Sequence, residues 1–145
     1  MMLTILSIAL FLVFSVLGGF HFYWLFGGTY GVKKVIPTKG IQSVNSQAIP
    51  PVATLFVALV LVSFGVIYLL KANLITLSIP SWIVEYGTWF IPSIFILRAI
   101  GEFNYVGFFK KIKDTEFARA DTKIFSPLCL GIGVAGMIIQ LIERI

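Results

Sequence analysis

Residues 52–70 read VATLFVALVLVSFGVIYLL, a run without one charged side chain. A bilayer core about 30 Å thick takes roughly 20 apolar residues at 1.5 Å of helical rise each, and this run meets that length. Three more stretches share its character: Met2 to Phe26, Ser81 to about Ile100, and Ser126 to Ile142. The last is also uncharged. The third span carries Glu85 and Arg98 and is the least comfortable in lipid. The fold expected is all-α, a four-helix transmembrane bundle forming one membrane domain over residues 1–145. The first span is read as retained rather than cleaved, because no Lys or Arg precedes it and no small-residue cleavage site follows.

Composition points the same way. Of 145 residues, 59% are hydrophobic and 12% charged, where a soluble domain has about half and about a quarter. The single histidine, His21, and the single cysteine, Cys129, exclude an intrachain disulfide, a CxxC pair and a multi-histidine zinc site. No cofactor or metal is expected. The basic excess, 11 Lys+Arg against 6 Asp+Glu, falls mostly in two short windows. It therefore reads as a topology signal, not as a nucleic-acid surface.

Prolines mark the helix starts. Pro50-Pro51, Pro80 and Pro127 stand at or before first turns, where a missing N–H costs nothing, and Ser126 is placed to cap the fourth span. Pro92 lies inside span three, where it releases the Thr88 carbonyl and kinks the helix. Lys33, Lys34 and Lys39 follow span one, and Lys110, Lys111, Lys113, Arg119 and Lys123 follow span three, whereas the opposite side has only Lys71 and Arg144. Positive charge favours the cytoplasm. Loops 27–51 and 101–125 are thus expected to be cytoplasmic, with both termini and the turn around Lys71 to Pro80 outside.

Small and polar residues recur at helical spacing: Ser126, Cys129, Gly133, Gly136 and Gln140 in span four, and Thr54, Ala58, Gly65, Tyr68 and Ala72 in span two. Such stripes are helix-packing seams in lipid. Cys129 reads as one of these packing residues. Glu85 either faces inward among indoles or snorkels outward. His21, beside Tyr23 and Trp24, suits the aromatic belt, a headgroup hydrogen bond or acid/base chemistry. Arg98 and Glu102 are four apart and can pair. In the second long loop Phe103, Val106, Phe109 and Ile112 recur every third residue, which predicts a short interfacial amphipathic helix with its lysines toward anionic lipid. Gly27, Gly28 and Gly31 followed by Lys33-Lys34 are a weak phosphate-cradle signal that a flexible exit from the membrane explains as well. Gln42 to Gln47 reads as solvated linker.

The runs HFYWLFGG (21–28), followed by Ile36-Pro37, RAIGEFNYVGFFKK (98–111), FARADT (117–122) and SPLCL (126–130) together resemble a family of small bacterial four-span membrane proteins of unknown function. The resemblance covers essentially the whole chain and implies the four-span fold in a bacterial cytoplasmic membrane. It implies no activity.

No motif identifies a reaction. The leading expectation is a lipid-binding or accessory protein that holds an amphiphilic small molecule at a cytoplasm-facing site, with His21, Trp24, Arg98, Glu102, Asn104, Asp121 and Ser126 around its polar end. Membrane lipids are the expected partners and nucleic acid is not. A second reading is a lipid-modifying enzyme pairing His21 with a carboxylate. A third is a proton-coupled transporter using Glu85, working as a homodimer because four helices alone enclose little volume.

Overall fold

The computed structural model describes residues 1–36 and 50–143. Lys39, the Gln42 to Gln47 linker, Pro37 and Arg144 lie outside the described residues. Among the described residues six α-helices follow one another: α1 (Met2–Leu25), α2 (Val32–Val35), α3 (Pro51–Lys71), α4 (Ser81–Ile100), α5 (Glu116–Ala120) and α6 (Ser126–Ile142). A π-helical turn, Asp121–Phe125, fuses α5 to α6. Four helical runs among the described residues are long and apolar enough to cross a membrane: α1, α3, α4, and the continuous stretch Glu116–Ile142. This is a multi-pass membrane protein, and no strand occurs among the described residues.

In lipid the apolar side chains have no reason to hide, so packing is decided by which residues let backbones approach. The buried positions of α1 are Ser7, Leu10, Phe14 and Gly18, and those of α3 are Thr54, Ala58, Leu61, Gly65 and Tyr68. Both sets step by three or four, which draws one stripe on each helix. The stripes meet where side chains are missing. A methyl on Gly18 would stand 3.0 Å from Val62 Cγ2, and one on Gly65 would stand 3.1 Å from the Phe11 ring. Helix α6 uses the same device against α4: Gly133 lies under Ile96 and the Pro92 carbonyl, and Gly136 lies under Pro92 and the Tyr68 hydroxyl. Pro92 is fully buried at this crossing, so its ring fills the groove that the α6 glycines open.

The two helix pairs α1–α3 and α4–α6 close into one bundle through contacts of α3 with α4 and of α1 with α6. Phe14 sits at the centre, its ring 5.4 Å from Phe95, 5.8 Å from Phe64 and stacked 6.2 Å from Tyr68. Outward faces carry exposed Leu12, Val16, Phe56, Leu59, Phe90, Leu97 and Val134, as a lipid-facing surface should.

Two local expectations need correction. Helix formation over Phe103 to Ile112 does not occur: the chain there is irregular, because Gly101, Phe103 and Gly107 all adopt left-handed φ values of 88°, 68° and 90°, which a right-handed helix cannot contain. The short helix between spans three and four lies instead at α5, capped by the Thr115 hydroxyl, which accepts from Ala118 N at 3.0 Å. Ser126 does not cap span four, since the helix already runs through it from Glu116. Pro127 removes only the N–H that would have reached back one turn, directly after the π turn in which Ser126 N donates to Asp121 O.

Candidate functional site

The two long connections meet at one end of the bundle, where α2 packs against α5. The first connection is built by its aromatics. The Trp24 indole N–H donates to Tyr30 O at 2.8 Å, and Tyr30 N donates to the Tyr23 hydroxyl at 3.4 Å. The Tyr23 ring lies where a side chain on Gly28 would have to go. Gly27 N and Gly28 N donate to Trp24 O and Tyr23 O, so these amides satisfy the last carbonyls of α1 and do not form a phosphate cradle. His21 Nδ1–H donates to Leu17 O at 2.8 Å, and its ring meets Trp24 edge-on at 5.2 Å. Both contacts come from its own helix.

The second connection is organised around one carboxylate. Asp121 has no solvent exposure. Arg98 Nη2 donates to its Oδ1 at 2.8 Å, while Oδ2 accepts from Gly107 N at 2.8 Å, Lys110 Nζ at 3.0 Å and Ser126 Oγ at 3.1 Å. Lys110 is itself buried, and its ammonium also donates to Gly107 O at 3.0 Å and Thr122 Oγ1 at 2.6 Å. All of the Asp121 partners are donors, so the site is arranged for an anion. Two cations surround it. The cluster therefore carries one unit of positive charge beyond neutrality.

The π turn makes this geometry available. Asp121 and Ser126 are five residues apart, which on an α-helix at 100° per residue would turn them about 140° away from each other. Widening the turn, so that Ser126 N reaches Asp121 O, brings both side chains to the same side. The left-handed backbone at Gly101 and Gly107 does the complementary work on the loop. A Cβ at either glycine would collide with the other's neighbouring backbone, and Phe108 N donates to Ala99 O at 2.9 Å. The loop thus folds back over the end of α4 and delivers Lys110 inward.

Of the residues expected from sequence, Arg98, Asp121 and Ser126 converge. Glu102 and Asn104 sit on the exposed face of the loop. The anticipated Arg98–Glu102 pair does not form: α4 ends at Ile100, Gly101 turns the chain, and Glu102 Oε1 accepts from Tyr105 N at 2.8 Å. His21 and Trp24 lie at the same end of the bundle, at the close of α1. Lys110, Gly107 and Thr122 were not anticipated. A helix over 103–112 would have put Lys110 in the headgroups, and the one available signal was Asp121 itself, whose apolar neighbours Phe117, Ala118 and Ala120 demand a buried counter-ion.

A family described as a protein of unknown function, DUF3995, matches residues 13–136. The chain belongs to that family. The DUF3995 match takes in the whole Arg98–Lys110–Asp121–Ser126 cluster and ends before Gln140. No curated protein and no solved structure matches the chain.

Proposed function

We propose that this protein is a membrane-embedded binding protein that takes the anionic polar end of an amphiphile at the end of the bundle formed by its two long connections. The observation that carries the reading is the state of Arg98. One guanidinium nitrogen is committed to Asp121, whereas Nη1, itself shielded from solvent, has no hydrogen-bond partner among the described residues; a third of the side chain as a whole remains exposed, so an anion would reach Nη1 by entering the cluster beside it. A guanidinium with a spare donor, in a cluster with surplus positive charge, suits a phosphate or carboxylate headgroup. The segment that follows Lys110 carries exposed Lys111, Lys113, Arg119 and Lys123 against exposed Asp114 and Glu116, a basic excess that adds attraction for anionic lipid. By the same charge asymmetry this end faces the cytoplasm, and the family resemblance supports a bacterial inner membrane. In this reading His21 and Trp24, at the close of α1, are the further contacts to the ligand.

The test is thermal unfolding of the full chain in detergent, titrated with phosphatidylglycerol or phosphatidylcholine. Phosphatidylglycerol should raise the midpoint progressively, with the effect reduced by salt. Arg98→Lys keeps a cation for Asp121 but loses the second guanidinium nitrogen and its planar fork, so it should lose most of that response. Equal responses to both lipids, or an undiminished response in Arg98→Lys, would overturn the proposal.

A further inference from the structure

At the opposite end of the bundle a cavity of about 420 Å³ opens between the ends of α3, α4 and α6, lined in part by Lys71, Glu85, Trp89, Gln140 and Glu143. Its volume is in the range of small-molecule sites, which run from about 300 to 1,000 Å³. The charges are not balanced. Lys71 is paired with Glu143, and among the described residues Glu85 has no ion-pair partner, which leaves the lining one unit negative. Gln140 is 4% exposed and its Nε2 has no acceptor among the described residues. A buried amide with unused donors is costly unless something accepts from it.

No set of three metal-ligating side chains occurs among the described residues, so the negative lining does not make a chelating site for a bare divalent ion. Its chemistry fits an organic cation. A carboxylate at the mouth suits an ammonium group, and the Gln140 donor further in asks for an oxygen acceptor on the same molecule. From these features we infer that the cavity binds a small ammonium compound bearing a hydroxyl or phosphate oxygen. The oxygen is received by Gln140 and the cation by Glu85, with Trp89 lining the wall. Lys71 and Glu143, held to each other, form part of the rim and leave Glu85 free to act as the counter-ion. This chemistry occurs both in free amino alcohols and in the headgroup of phosphatidylethanolamine. The inference does not depend on the Arg98 cluster, which lies across the membrane from it.

The experiment titrates the detergent-solubilised full chain with ethanolamine in one arm and with phosphatidylethanolamine in mixed micelles in the other, reading tryptophan emission and the unfolding midpoint. A saturable response in either arm is expected; ethanolamine alone identifies a free ligand and phosphatidylethanolamine alone identifies a headgroup. Glu85→Gln and Gln140→Leu should each weaken apparent affinity at least tenfold. Both variants should fold, because Glu85 is exposed and Gln140→Leu removes an unpartnered polar group from a buried position. Silence in both arms, or native-like affinity in either variant, would overturn the inference.

Discussion

Lys110 Nζ lies 3.0 Å from Asp121 Oδ2 with both side chains withdrawn from solvent, a pair joined across 11 positions of sequence. Together with Arg98 it ties an irregular loop to the start of the last membrane helix. Ion pairs of this kind add little net stability when compared with an apolar replacement, but removing one partner strands the other charge and costs about 3–5 kcal/mol.

Asp121→Asn should therefore be the most damaging conservative change in the chain, since it leaves Arg98 and Lys110 facing each other without an anion. Lys110→Met should cost less, because Arg98, Gly107 and Ser126 still satisfy the carboxylate. Combining the two should be milder than the sum of the single effects, as expected for groups that act on one another. Denaturant unfolding in mild detergent reads all three. Strict additivity would mean that the pair is not coupled.

Gly107 is held twice over, by a φ of 90° and by backbone packing that leaves no room for a Cβ. Gly107→Ala should cost more than the roughly 1 kcal/mol typical of a left-handed alanine, and should open the 101–115 loop to protease. Gly131, where an added methyl would meet nothing within 4 Å, supplies the control: Gly131→Ala should be neutral or mildly stabilising.

Membrane orientation is open to direct measurement. In a Cys129→Ala background, Lys34→Cys and Lys111→Cys should each react with an impermeant maleimide only when the cytoplasmic face is exposed, and Leu74→Cys only from the other side. Labelling of the Lys34 and Lys111 positions from outside would reverse the topology that the lysine and arginine distribution supports.

The helix seams were legible because lipid reduces the code to a simple rule: small and polar residues turn inward. Ser126, Cys129, Gly133, Gly136 and Gln140 are all buried. Arg98 was visible as a candidate because a charge inside a span is costly, and Asp121 because it falls in the FARADT run on the basic side of the membrane. Their joining was not visible. It depends on a π turn that realigns Asp121 with Ser126, and on a left-handed Phe103 beside two left-handed glycines, and neither leaves a periodic trace. An every-third-residue apolar pattern in Phe103 to Ile112 therefore resembled a helix, while tertiary hydrogen bonds to Asp121 decided otherwise.

Gly136 leaves no room for a side chain: a methyl there would stand 2.6 Å from the hydroxyl oxygen of Tyr68 on α3, across the two helix pairs, and 2.8 Å from Pro92 Cβ on α4. That hydroxyl is buried and has no hydrogen-bond partner among the described residues, so it contributes bulk without the compensation a bond would bring. Tyr68→Phe alone should therefore be neutral or stabilising. Gly136→Ala should destabilise by about 1–3 kcal/mol, the usual range for overpacking a filled core. In the double variant Tyr68→Phe should recover part of that loss by vacating the nearer of the two collisions, while Pro92, fixed in the helix backbone, retains the rest. Unfolding midpoints of the four proteins measure the coupling directly, and a double variant no better than Gly136→Ala would show that Pro92 alone sets the approach of α4 to α6.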